Sequence, residues 1–261
     1  MPSRDAPERL AILYLDDWVV AVNKPEGLLV HRSPIDRRET RFALQIVRNQ
    51  LRQTLYPVHR LDKPTSGVLL FALRPDAARC VSESLAQGRV RKYYLAVVRG
   101  SLPEQGTIDH PLVEEPDPHG DPDVQPDKEA QPARTTFERL AGIDLPFATD
   151  RHPTSRYSLA SASPLNGRRH QIRRHFKHIF HPIVGDVRYG DGQHNRFFRE
   201  KLGCRRMLLH AAQIAFPHPH TGEQITVVAP VEGDFEKVLE QLGWLGIATT
   251  WREGRPQGAP A

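Results

Sequence analysis

The feature of this sequence that most constrains its fold is a turn joined without a break to an apolar strand. His59-Arg60-Leu61-Asp62-Lys63-Pro64-Thr65-Ser66-Gly67 runs directly into Val68-Leu69-Leu70-Phe71. The apolar run reads as a buried strand, and Pro64 and Gly67 restrict the backbone before it to a turn. Asp62 therefore sits on a non-periodic stretch beside a rigid element, where a side chain is held firmly while open to a ligand. Arg60 lies two residues away, and a guanidinium next to a carboxylate favours its ionised form. On these residues alone Asp62 is a candidate nucleophile. An aspartate that merely caps a turn is, from local chemistry, the commoner case.

Around this segment the pattern is that of an α+β protein with strands in the majority. Ile12-Leu13-Tyr14-Leu15 and Trp18-Val19-Val20-Ala21-Val22 read as two strands around Asp16-Asp17, the second leading into a turn at residues 23–27. Residues 94–98, 134–140, 156–163, 208–216 and 224–228 are also strand-like, the last two flanking a turn that contains Gly222. Phe42, Ile46, Val47 and Leu51 share one face at helical spacing, as do Ala77, Val81 and Leu85. The latter helix is opened by Pro75-Asp76 and stopped by Gly88, and both helices are expected to cover a sheet. Phe235, Val238, Leu239 and Leu242 give a short closing helix that Gly243 terminates. Residues 114–132 hold five prolines and mostly acidic charge, which reads as a surface excursion, and residues 252–261 read as a frayed tail.

The net charge of +5 is unevenly spread. Residues 165–210 carry eleven Lys or Arg against three Asp or Glu, whereas residues 104–131 carry nine acids against Lys128. The basic concentration suits a polyanion, although a solvated charged face explains it equally well. No apolar run approaches the roughly 20 residues of a membrane span and the first ten residues lack a signal core, so a cytoplasmic protein is expected. Cys80 and Cys204, the only cysteines, form neither a disulfide framework nor a zinc pattern.

Residues 168–180 carry the second concentration of chemistry. On a helix, Ile172, Phe176 and Ile179 line one stripe, with Arg169, Arg173 and Lys177 on the next at i, i+4 and i+8. An amphipathic helix with solvated arginines accounts for this unaided. Tyr94, in an alternating strand, is by itself more often a core residue with a satisfied hydroxyl than a catalytic one. His170, His175, His178 and His181 have neither an HExxH pattern nor a cysteine partner, and the first carboxylate after them is Asp186. They read as phosphate or packing contacts, with no metal. Gly185-Asp186 and Gly190 read as turn chemistry rather than a phosphate-cradling loop, so no nucleotide cofactor is indicated.

Residues 59–67 resemble the catalytic motif of the RluA superfamily of pseudouridine synthases. Further blocks follow in that family's order: Asn23-Lys24-Pro25-Glu26-Gly27, Lys92-x-Tyr94-x-Ala96-x-Val98-x-Gly100, Gly167-Arg168-Arg169-His170-Gln171-Ile172-Arg173 and Pro182-Ile183-Val184-Gly185-Asp186. Within the superfamily the chain is similar to the branch that modifies uridine 65 of tRNA. The closer points are His31-Arg32-Ser33, Pro64, Pro153-Thr154-x-Arg156-Tyr157, Gln193-x-Asn195-Arg196 and Gly243-Trp244. The resemblance implies one catalytic domain over residues 10–247, built on a mixed, largely antiparallel sheet, without the N-terminal RNA-binding module of some relatives.

The resemblance also implies roles. Asp62 is the catalytic carboxylate and Arg173 reaches it; Tyr94 sits against the target base, stacking with its ring and taking part in proton transfer through its hydroxyl. Arg60 fills the space left by the flipped base, and Arg168, Arg169 and Lys177 supply salt-sensitive affinity for RNA. Arg173→Ala is expected to cost turnover more than folding. Attack on ribose C1′, addition to uracil C6 and removal of the 2′ proton all require the carboxylate, and the sequence leaves the three open. The substrate expected is tRNA, with ribosomal RNA or another tRNA site as the alternative within the class. A catalytically silent RNA-binding protein on the same scaffold is the alternative outside it.

Overall fold

The computed structural model describes residues 8–32, 39–114, 129–148 and 153–251. Most of the expected acidic excursion, the expected tail and Ser33 lie outside them. Among the described residues ten strands form one sheet: β1 Ala11–Leu15, β2 Val19–Lys24, β3 Tyr56–Pro57, β4 Ser66–Ala72, β5 Arg91–Arg99, β6 Gln105–Asp109, β7 Arg134–Leu145, β8 Ser155–Pro164, β9 Leu209–Pro217 and β10 Gln224–Val228. The helices are α1 Ala43–Leu51, α2 Pro75–Ala86, α3 Gln171–His178, α4 Gly192–Lys201, α5 Asp234–Gln241 and α6 Leu245–Thr250.

The sheet runs β1-β2-β4-β9-β5-β8-β7-β6, with β10 added to β9 and β3 to β4. Every pairing of these strands is antiparallel except one. β4 meets β9 in parallel over only two positions, Ser66 opposite His210 and Gly67 opposite Ala211. Beyond Ala211 the same edge of β9 is taken by β10. The sheet is thus two antiparallel halves joined at a short seam, and the seam lies at the end of the 59–67 segment.

Why the strands read as apolar runs is visible in how they divide their side chains. Leu69 and Phe71 of β4, Tyr94, Ala96 and Val98 of β5, and Leu209 and Ala211 of β9 pack with Ala43, Ile46 and Val47 of α1 and Ile172 and Phe176 of α3. The alternate residues face the other way. Leu95 and Val97 meet Phe198 of α4 and Phe235, Val238 and Leu239 of α5, while Val68 and Leu70 meet Val81 of α2. With helices on both faces, no strand at the centre has a solvent side to fill with polar residues. Phe176, fully buried, contributes on the order of 3 kcal/mol by leaving water.

The helix stops follow the glycines. At the end of α2, Gly88 (φ 69°) and Arg89 donate back to Leu85 and Ser84; at the end of α5, Gly243 (φ 71°) and Trp244 donate to Glu240 and Leu239. Both are left-handed caps that satisfy the last carbonyls. The 168–180 segment departs from expectation. Its helix begins at Gln171, because His170 takes a left-handed backbone (φ 54°) and the Gln171 side chain accepts from Arg168 N at 3.0 Å. Arg169 therefore precedes the helix and does not share a stripe with Arg173 and Lys177.

Candidate active site

The seam seats Asp62. Gly67 (φ 111°) has no room for a side chain, since a Cβ there would lie 2.2 Å from Ala211 O. Thr65 N donates to Asp62 O at 3.0 Å and Gly27 N to Lys63 O at 2.8 Å, so the 23–27 turn clasps the aspartate loop from outside. Lys24 is fully buried and its ammonium donates to Pro25 O, Leu28 O and, at 3.4 Å, Lys63 O. Burial, helped by the charge of Arg206, pulls Lys24 down to about 7. His59 Nε2 accepts from Leu70 N at 3.0 Å, which requires the neutral ring, and burial with the nearby Lys92 charge pulls His59 down to about 3.

Beneath the loop, Ser66 Oγ is 2.7 Å from His210 Nδ1 and accepts from Arg206 Nη2 at 2.7 Å. His210 Nε2 faces Ala229 O at 3.2 Å and must carry a proton, so in the neutral ring Nδ1 accepts from Ser66. Arg206 in turn pairs with Glu26 at 2.8 Å. Two of the eleven cations of residues 165–210, Arg173 and Arg206, are thus buried and paired with carboxylates instead of contributing to a basic surface.

The guanidinium beside Asp62 is that of Arg173. Its Nη1 donates to Asp62 Oδ2 at 3.2 Å, whereas Arg60 is exposed at the rim of the cleft. The expectation that Arg60 supports the carboxylate is corrected accordingly. Arg173 is itself gripped by Asp186, through Nε to Oδ2 at 2.7 Å and Nη2 to Oδ1 at 2.9 Å. Asp186, 1% exposed, also accepts from Arg188 N and Tyr189 N. Burial opposes both charges, but the mutual hydrogen bonds and attraction outweigh it, holding Asp186 below the usual carboxylate range and pushing Arg173 up.

Asp186 is the residue that sequence reasoning missed. It does sit in a turn, with Gly190 N donating to its carbonyl at 3.0 Å, yet its side chain holds Arg173. His170 also lies nearer the Asp62 carboxylate than a packing histidine would. Its Nε2 is 3.9 Å from Asp62 Oδ2 and its Nδ1 3.0 Å from the Tyr189 hydroxyl, and burial pulls it down to about 4, leaving a neutral ring. The other histidines are packing contacts: His175 bonds Thr135 Oγ1 and His110 O, His181 bonds Arg99 O, and His178 stacks on His110.

Asp62, Tyr94, Arg173, Arg60, Arg168 and Arg169 line one cleft, together with Lys92, His170 and Leu209. Lys177 is not in the cleft wall; it lies exposed over the Tyr189 ring, 5.7 Å from the centroid. Tyr94 is buried, and burial followed by the Asp62 charge pushes its phenol up, so the hydroxyl keeps its proton. A larger groove of about 840 Å³ runs past Ser101, Glu104 and Arg139. The smaller cleft, about 180 Å³, is singled out because a carboxylate, a guanidinium, an imidazole and a phenol converge on it. No described helix is long and apolar enough to cross a membrane.

The chain as a whole has known counterparts. The tRNA pseudouridine synthase C of Haemophilus ducreyi is 50% identical over 235 residues, covering 90% of this chain and 96% of that protein. That of Haemophilus influenzae is 48% identical over 91% of this chain and 100% of its own length. Among solved structures, human RNA Pseudouridylate Synthase Domain Containing 4 superposes with a TM-score of 0.68 at 27% identity, covering 89% of this chain and 93% of that one. A family model described as RNA pseudouridylate synthase matches residues 18–178. The chain belongs to the RNA pseudouridylate synthase family and is a pseudouridine synthase.

Proposed function

We propose that this enzyme isomerises uridine 65 in the T-stem of tRNA, with Asp62 as the reacting carboxylate. The observation that carries the reading is the Arg173–Asp62 contact in a cleft lined by Tyr94, in a chain half identical to a tRNA pseudouridine synthase C. Residues 10–247 act as one catalytic unit.

The reaction breaks the bond from uracil N1 to ribose C1′, turns the base, and joins C5 to C1′; C5 loses a proton and N1 gains one. It needs a carboxylate, a site closed to water and an unstacked base, and no cofactor. Flipping the base costs a few kcal/mol, which binding must offset. Arg60, exposed at the cleft rim, is suited to occupy the vacated space in the helix. Asp62, half-buried, meets the flipped nucleotide. The Tyr94 ring stacks on uracil, and its protonated hydroxyl donates during the base's rearrangement. Arg168, Arg169 and Lys177 hold backbone phosphates without reading the base.

The test is tritium release from tRNA carrying 5-tritiated uridine, with wild type and Asp62→Asn, followed by mapping of the product. Release by wild type alone with pseudouridine at position 65 is the expected result. Release from ribosomal RNA or another tRNA site instead would move the substrate, and none from any RNA would leave a silent RNA binder.

A further inference from the structure

The Gln193-x-Asn195-Arg196 block contributes nothing to the cleft wall, yet its asparagine touches the turn behind it. Asn195 lies on α4, whose first turn is capped by Asp191 through Gln193 N (3.0 Å) and His194 N (3.4 Å). Asp191 is tied to Arg99 at 2.6 Å, so α4 is anchored to β5. From there Asn195 Oδ1 accepts from Gly185 N at 2.7 Å, and Nδ2 donates to Asp186 O at 3.0 Å. One amide thus grips two successive residues, as acceptor to one and donor to the next.

The gripped turn has no slack. A Cβ at Gly185 would lie 2.0 Å from Arg206 O, and one at Gly190 would lie 2.1 Å from Asp186 O. The Asp186 carboxylate makes two bonds to Arg173, and the remaining reach of Arg173 is the 3.2 Å contact with Asp62. We infer that Asn195 is a positioning residue of the reaction: through the Gly185-Asp186 backbone it aims the Asp186 carboxylate, and through that carboxylate the Arg173 guanidinium at Asp62. A displacement of about 1 Å at a site of this kind costs on the order of 100-fold in rate. The inference rests on Asp62 being the reacting group.

The experiment is single-turnover tritium release at saturating tRNA for wild type, Asn195→Ala, Asn195→Asp, Arg173→Lys and the Asn195→Ala/Arg173→Lys pair, well below each melting temperature. Asn195→Asp keeps the shape and the acceptor for Gly185 N but lacks the donor to Asp186 O, and it covers the case in which the alanine variant folds poorly. Both Asn195 variants are expected to lose roughly 10- to 100-fold in rate, with KM changed by less than about 2-fold. In the Arg173→Lys background the same Asn195→Ala change is expected to cost less than about 2-fold, because the group it aims has already been displaced. An unchanged rate with a lowered melting temperature, or an undiminished loss in the lysine background, would mean that Asn195 only fastens α4 and would overturn the inference. A wild type that releases no tritium from any RNA would instead sink the functional reading on which it rests.

Discussion

Asp62 and Arg173 meet across the cleft, but the molecule holds them in different ways. Asp62 is seated mainly through the backbone: carbonyls gather the Lys24 side chain, a neutral His59 accepts from Leu70 N, and Gly67 abuts Ala211. Arg173 is seated by charge, in a buried bidentate pair with Asp186. The first arrangement needs a neutral His59 and backbone carbonyls rather than two opposite charges. The second exists only while both partners are charged, and it leaves part of one guanidinium directed at Asp62. The aspartate side is therefore a mould and the arginine side a counterweight, and the two should fail differently.

The largest expected effect separates chemistry from scaffold. Asp62→Asn should lower tritium release by about 10⁴-fold or more, the scale of removing a reacting nucleophile, with the melting temperature held within a few degrees. Next is Arg173→Ala. The sequence suggests that this change costs turnover more than folding, but the Asp186 pair revises that, because the variant strands a buried carboxylate. A loss of about 3–5 kcal/mol in urea unfolding is expected together with the loss of rate. An Arg173→Ala protein as stable as wild type would break the contrast between mould and counterweight. Tyr94→Phe keeps the ring and removes the hydroxyl, and kcat should fall by about 100-fold with KM little changed.

Acid sharpens the contrast on the aspartate side. His59 titrates near 3 in the fold against about 6.5 in the unfolded chain, so between those values the unfolded chain binds the proton and the fold does not. Its contribution to stability is complete above about pH 6.5 and declines by about 1.4 kcal/mol per pH unit as pH falls towards 3. His170, lowered to about 4, adds to the same trend. Urea midpoints from pH 7 to pH 4 should fall more steeply in wild type than in His59→Gln; parallel lines would remove His59 from the account. The smallest effect belongs to the surface. Lys177→Ala should reduce the slope of log affinity for tRNA against log salt by about 1 while leaving the single-turnover rate at saturation unchanged.

How much of this was legible in the sequence follows the same division. The mould lies in contiguous text: a turn and an apolar strand can be read at residues 59–71, and the glycine stops at 88 and 243 are as plain, whereas the close approach of Ala211 that bars a side chain at Gly67 is not. The resemblance to a known family named Asp62, Tyr94 and Arg173 together, and the three do line one cleft. The counterweight is scattered. Asp186 stands thirteen residues from Arg173, and an aspartate next to a glycine has the composition of any turn. α4 also escaped notice, since its sequence is strongly polar and only His194 and Phe198 are buried. Its start is signalled by Asp191 alone. Arg169 was misplaced because stripe counting assumes a helix that His170 interrupts. β6, a five-residue edge strand of mostly polar residues, carries no apolar run to reveal it.

The two-position seam between β4 and β9 has a consequence for the order in which the enzyme is made. Ser66 and His210 are 144 residues apart, so the bond between them closes one of the longest loops in the chain. Contacts of that separation form late, after the local hairpins have committed their entropy. On the ribosome, the segment bearing Asp62 emerges long before the strand against which Gly67 rests. The nascent chain thus carries Asp62 through the synthesis of the intervening residues without the strand that seats its loop.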